Sequence, residues 1–260
     1  MKLLRLLGAS FLLSLRREIA FRANLVFQIC LTVLNIASSF AVVSTVYTQT
    51  RTLGGWHLNE AIILLGTFQI VSGIFMTFVE PNVSWFSGQV RDGKLDSILI
   101  QPVSSLFMIS LGKCEPLALS QVGMGLMVVG LGWHDGGTLP SSLGVLGWLI
   151  LIGVGLVIAW ASRVQIASVS LWVPSIELDV LYAALWQFGR YPVAIYYQPL
   201  RFFLTYVLPF AFLATFPTSA MTGRTGLLLP LLGIAVGFVA VMIVQQVWKI
   251  GLRRYTSATS

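Results

Sequence analysis

The chain has 260 residues, of which 57% are apolar and only 10% charged, against about 25% charged in a soluble domain. Mean hydropathy is +0.87, and six spans of about 20 residues would use roughly 120 residues, leaving loops but no separate soluble domain. A soluble enzyme, a disordered tail and a cytosolic nucleic-acid binder are excluded together, and the net charge of +7 is read as a topology signal, since cytoplasmic loops concentrate Lys and Arg.

Lys2 and Arg5 precede a short apolar run, Leu6 to Leu15, that ends in Arg16-Arg17-Glu18 without a small-x-small cleavage site, so the segment reads as retained. Residues 1–23 are expected to form an amphipathic helix on the cytoplasmic face, because Lys2, Arg5 and Arg16 share one side of a 3.6-residue helix. Apolar stretches follow at 24–46, 60–80, 105–132, 142–173, 199–215 and 226–248. The third has Lys113, Glu115 and Pro116 early on, so its apolar core is set to begin near Pro116. The fourth carries Arg163, and the short fifth contains Pro209. The expected architecture is an all-α integral membrane protein: one domain over 1–260, with six transmembrane helices and both termini on the same side.

Orientation follows from charge. With 81–104 and 174–198 as cytoplasmic loops, 13 of the 16 basic residues fall on the side of the termini; Arg51 and Arg224 lie opposite and Arg163 lies within a span. That asymmetry accounts for the basic balance without nucleic acid. Trp56 and Trp133 are expected at the outer span ends, and Trp85 and Trp248 at the inner ones, as aromatic belts. The external loops 47–59, 133–141 and 216–225 are short, and the last has the makings of a small interfacial or re-entrant helix.

Catalytic chemistry is hard to assemble. Gly88-Gln89-Val90-Arg91-Asp92-Gly93-Lys94-Leu95 fits the GxxxxGK frame of a phosphate loop, but Leu95 stands where Mg²⁺ needs a hydroxyl, and no strand precedes the loop. The two histidines, His57 and His134, sit in separate external loops, which leaves no HExxH or three-ligand metal site. Cys30 and Cys114 have no metal or redox spacing. Charges inside a span are costly and usually functional, so Arg163 and Glu115 stand out, with interhelical pairing as the ordinary role. Glu60 and Glu80, at span ends, are expected to be solvated. Gly233 and Gly237 form a GxxxG, and Gly123, Gly125, Gly130 and Gly132 mark the third span; small residues of this kind permit close helix contacts.

The run from Val90 to Pro102 is polar and then apolar, with Leu95, Ile98 and Leu99 on one face of a short helix. Such a helix rests on lipid or docks into a partner. Arg91-Asp92-Gly93-Lys94-Leu95-Asp96, continuing through Leu99 to Pro102, resembles the first cytoplasmic loop of type-2 ATP-binding-cassette (ABC) exporter permeases, in particular a bacterial subgroup of about 260 residues with six spans. Gly189-Arg190-Tyr191-Pro192, followed by Leu200-Arg201, Pro209 and Pro217, is similar to that subgroup's Arg-Tyr-Pro motif and the proline-marked span after it. The stretch Val193 to Tyr197 departs from the pattern.

The resemblance implies a permease subunit in the bacterial cytoplasmic membrane, paired with a second permease, identical or related, and with two separate ATPase subunits. ATP and Mg²⁺ would then be held by those ATPases, with no cofactor, metal or catalytic residue on this chain. The segment near 90–100 would be the coupling helix, through Arg91, Asp92, Gly93, Lys94, Leu95, Asp96 and Leu99. Arg190 and Tyr191 would support it from the second loop, and Pro209, Gly233 and Gly237 would be points of bending or sliding. A stand-alone channel or ion-coupled carrier is the alternative; carriers place ionisable groups near the midplane.

Overall fold

The computed structural model describes the chain apart from residues 1, 21, 97–99, 101–103, 137–139, 174, 227 and 255–260, and apart from the side chains of 2–7, 19, 22, 135 and 254. The described residues are helical throughout, without a strand; a single bridge between Leu53 and Trp56 closes the first interhelical turn. The helices are α1 (Lys2–Ala20), α2 (Arg22–Gln49), α3 (Leu58–Phe78), α4 (Glu80–Arg91), α5 (Ser105–Leu111), α6 (Leu119–Gly136), α7 (Ser142–Ser168), α8 (Leu178–Trp186), α9 (Thr215–Met221) and α10 (Leu228–Arg254).

Among the described residues, five stretches are long and apolar enough to cross a membrane: Ala23–Gln49, Leu58–Phe78, Pro116–His134, Ser142–Leu171 and Leu228–Arg253. Traced in order, they define two ends of the bundle. The basic end carries Arg16, Arg17, Arg91, Lys94, Lys113, Lys249 and Arg253, and the far end carries Arg51, His57 and Arg224.

The centre of the bundle is α3, with 83% of its apolar window buried by the chain itself, against 17% for α2 and 22% for α10. Glycines explain how its neighbour approaches so closely. A Cβ added at Gly66 would lie 2.7 Å from the Gly125 carbonyl, one at Gly125 would meet the Gly66 carbonyl at 2.7 Å, and one at Gly73 would sit 2.8 Å from Val122. In a bilayer, where apolar surfaces gain little from leaving lipid, backbone contact of this kind is a main source of helix association. Gly123 and Gly130, on the other side of α6, face open space. Indole donors peg the remaining helices to polar side chains: Trp148 to Thr67 at 3.0 Å, Trp160 to Ser110 at 2.8 Å and Trp186 to Ser72 at 3.1 Å.

Each element begins or ends for a local reason. The Glu60 carboxylate accepts the His57 N–H at 2.8 Å at the start of α3, and the Ser141 hydroxyl accepts the Gly144 N–H at 3.0 Å at the start of α7. Between α3 and α4, Pro81 has no N–H to give the Thr77 carbonyl, and that carbonyl instead accepts the Glu115 N–H at 3.0 Å. Asn82, fully buried, donates to the Phe78 and Lys113 carbonyls at 2.7 and 2.8 Å and accepts the Lys113 N–H. The proline junction is thereby sewn to the loop ahead of α6.

Expectation and structure part company over 174–215. The segment 174–198, read as a loop outside the bundle, runs through it. Trp186 bonds Ser72, Gly189 lies against Phe68, and Ala194 and Ile195 come within 3.2 Å of a Cβ built at Gly54, in the far-end turn. The expected fifth span, 199–215, is not one helix. The chain dips back until Phe210 packs edge-on to Tyr182 and Trp186, 5.8 Å from each, and α9 then returns to the far end. There Thr218 bonds Thr67 at 3.4 Å, and the Ala220 carbonyl lies 3.1 Å from a Cβ built at Gly144. Prolines 192, 199, 209 and 217 deny the backbone its N–H donors at short intervals. The crossing is therefore made of short turns, one of them a wide turn closed from Leu208 to the Phe203 carbonyl. Two of the four expected belt tryptophans are interior instead. Trp56 (5% exposed) lies beneath the Arg224 guanidinium, and Trp248 (4%) packs on Phe86 while donating to Ser105 at 3.2 Å.

Candidate functional site at the basic end

The residues singled out in the first loop begin on a helix. α4 carries Arg91 as its last residue, and Gly93, at φ +67°, ends it. The Gly93 N–H donates to Val90 O at 3.1 Å and the Lys94 N–H to Gln89 O at 2.9 Å. This paired closure needs a left-handed residue, which glycine supplies without strain. The GxxxxGK frame is thus a helix stop. Lys94 and Asp92 pair at 3.1 Å on the exposed turn. Leu95 differs from the face expected of it: it is fully buried in the core, so it anchors the loop and offers no surface to a partner. Leu99 lies outside the described residues.

Behind this loop sits a cluster of charges that the sequence left scattered. Arg163 of α7 is completely buried. Its guanidinium grips Glu80 of α4 in a fork, Nε to Oε2 at 2.8 Å and Nη2 to Oε1 at 3.0 Å, and donates to the Ser84 hydroxyl at 3.2 Å. Nη1 faces the Asp179 carboxylate of α8 at 2.8 Å, and the ring of Tyr182 lies 5.3 Å away. Ser87 donates to the same Asp179 at 3.3 Å. One turn further out, Arg91 pairs with Glu177. Two carboxylates around one arginine, with a forked contact, give the geometry in which a buried cation is best compensated. Glu80, expected to be solvated, is a structural counter-ion. Glu60 is one as well, pairing with Arg224 at the far end through a 2.6 Å contact from Nε.

The loop before α6 completes this end. Lys113 lies over the Trp85 ring at 4.0 Å, and partial burial lowers its pKa from the ordinary lysine value. Crowding by the surrounding chain, with the Glu80 charge adding, raises Glu115 above the usual carboxylate range. Glu18 of α1 is raised by burial too, although its carboxylate accepts the Leu117 N–H at 2.9 Å. That bond, Ser10 to the Gly112 carbonyl at 3.1 Å, and the stacking of Phe11 on Phe78 dock α1 on the bundle.

Arg190 and Tyr191 do not join this group. Arg190 reaches Ser39 at 3.1 Å and Asn35 at 3.4 Å, in the middle of α2. At 1.5 Å per residue that is about 20 Å from the start of the helix. Arg190 is thus set apart from the loop at Arg91–Asp96. Pro209 ends the wide turn and opens the next short one. Gly233 lies 3.0 Å from Leu151 and Phe212 (measured from a built Cβ), whereas Gly237 has room to spare, so the GxxxG seats α10 on α7 within the chain. Asn82, Asp179 and Glu177 carry no local signal in the sequence; for Asp179 the one indication is the need of Arg163 for partners.

A chain whose described residues form helices, five of them long apolar spans, with a paired charge cluster at one end and a proline-broken crossing, is a multi-pass membrane protein. It belongs to the ABC-2 family of transporter proteins, whose family model, ABC-2 family transporter protein, matches residues 33–259; it is a type-2 ABC permease, a membrane component of transport. No curated protein and no solved structure matches the chain.

Proposed function

We propose that this permease forms half of the translocation pathway of an ABC exporter and is moved by two separate ATPase subunits docked at the basic end. ATP and Mg²⁺ are bound on those ATPases, and a second permease, a copy or a relative, supplies the other half. In this reading the termini and the 81–104 loop are cytoplasmic and the membrane is the bacterial cytoplasmic one; the gathering of Lys and Arg at the basic end supports that orientation. The observation that carries the reading is the course of α3 into α4. The most buried span continues through a stapled proline junction to the loop at Arg91–Asp96, and Arg163 locks its extension to α7 and α8. A push on that loop is passed as a rigid displacement to the centre of the bundle, because packed helices shift between discrete arrangements.

Arg91, Asp92 and Lys94, exposed on the loop, and the half-buried Asp96 are the coupling residues in this reading. Uncovered apolar side chains on α2 and α10, among them Phe27, Leu34, Phe238 and Val239, meet lipid and the second permease. The test is co-purification of the tagged chain with its ATPase, together with charge reversal at Arg91 and Asp96. The double variant is expected to insert normally and to lose transport-coupled ATPase activity; unchanged coupling would refute the docking assignment.

A further inference from the structure

Among the described residues, Arg163 and Arg190 lie between the helices, and they differ in their counter-charges. Arg163 has two carboxylates, whereas Arg190 has no carboxylate within 4.0 Å among the described residues, and its buried Nε has no hydrogen-bond partner. Its other contacts are a hydroxyl, an amide oxygen at 3.4 Å and the Phe68 ring at 5.9 Å. A cation at this depth is costly without a counter-charge.

Arg190 lines a cavity of about 230 Å³ between α2, α3, α6 and the end of α8, and among the described residues it is the one charged group in the wall. Gln28, Thr32, Met76 and Gln121 belong both to this cavity and to a groove of about 880 Å³ that opens at the basic end. The two make one path from the mouth to Arg190. Arg17, Lys113, Glu18 and Glu115 stand at the mouth and carry both signs. Along the path, α2 presents Asn24, Gln28, Thr32, Asn35 and Ser39, spaced by four, four, three and four residues, which is one face of a helix. Gln28, Gln69 and Gln121 make no side-chain hydrogen bond among the described residues. Amides without protein partners and a guanidinium without a counter-charge suit a polar, anionic guest. The rim is apolar, with Leu13 (73% exposed) and Leu31 (44%) at its edge.

We propose that this path is a binding site for an amphiphile with an anionic headgroup, phosphate or carboxylate, whose charge pairs with Arg190 and whose tail lies out past Leu31 into lipid. The inference names a substrate class for the transport reading and rests on it.

The test is equilibrium binding to the full chain in phosphatidylcholine nanodiscs, with lysophosphatidate, lysophosphatidylcholine and inorganic phosphate as probes. Saturable binding is expected for lysophosphatidate. Arg190→Gln should weaken it at least about tenfold, the loss of one charge-assisted hydrogen bond, while Arg190→Lys keeps most of it. If Arg190→Gln yields no monodisperse protein, Gln28→Leu with Gln121→Leu should weaken binding several-fold with the charge in place. Equal binding by wild type and Arg190→Gln, or by the double leucine variant, overturns the site. Equal binding of lysophosphatidylcholine overturns the anionic headgroup, and equal affinity for inorganic phosphate overturns the amphiphile. Co-purification with the ATPase is scored separately, so failure of the coupling reading is told apart from failure of this one.

Discussion

Replacing Arg163 by Met removes a cation while keeping most of its length. In the wild-type protein this side chain is wholly buried, and its two counter-ions, Glu80 and Asp179, are 26% and 30% exposed. The substitution leaves two carboxylates facing each other across a dry gap, with no guanidinium between α4, α7 and α8. Breaking a buried pair in this way costs about 3–5 kcal/mol, and the partial exposure of both acids places the value near the lower bound. At about 2–4 °C per kcal/mol for a chain of this size, the apparent melting temperature in detergent should fall by about 6–12 °C. Glu80→Gln alone should cost less, because Asp179 still compensates the arginine. In the double variant, Arg163→Met with Glu80→Gln, the second change should recover part of the loss, so the two effects are strongly non-additive. An Arg163→Met protein that melts with the wild type would refute the view that these charges hold the three helices together.

Gly125→Ala places a methyl group 2.7 Å from the Gly66 carbonyl. It should destabilise the chain by about 1–3 kcal/mol, as overpacking does, while Gly123→Ala, facing open space, should leave the melting temperature unchanged; similar losses for both would remove the close α3–α6 contact as a stabilising element. Glu115 has its pKa raised above 4.5, so the folded chain favours the protonated form and ionisation costs stability above the raised pKa. Glu115→Gln should therefore raise the melting temperature at about pH 8 and give no gain below 4.5; an equal gain at both would assign the effect to packing.

What could be read from the sequence was what composition averages over a window report. α2, α3 and α10 are long apolar runs and fall within a few residues of the stretches expected. The start of the third span at Pro116 followed from charges just before it. The crossing between α7 and α10 was misplaced for a physical reason. Four prolines cut it into turns too short for a hydropathy window, and its stability comes from contacts distant in sequence: Trp186 with Ser72, Phe210 with Tyr182, Thr218 with Thr67. The site divides similarly. Arg163 was conspicuous as a charge inside a span, but nothing local ties it to Glu80, 83 residues away. Asn82 looked like an ordinary helix residue, and its role depends on a carbonyl 31 residues along the chain.

Arg163, wholly buried, and Arg190, half-buried, are held in opposite ways. Near the basic end every acid around Arg163 is committed, so displacing α4 against α7 and α8 means breaking a forked contact in a dry setting. That is a large barrier, and these three helices therefore move as a unit. Halfway along α2 the opposite holds. Arg190 touches its neighbours through weaker, neutral contacts, α2 is scarcely covered by the rest of the chain, and its polar face looks onto empty space. On the coupling reading proposed above, a displacement carried along α4 and α3 meets little resistance at α2, and the gap lined by Gln28, Gln121 and Arg190 is the one that changes width. The proposed coupling loop and the proposed headgroup site then fall on opposite sides of the same helix, α3, with the Arg163 cluster fixing one side so that the other is free to open.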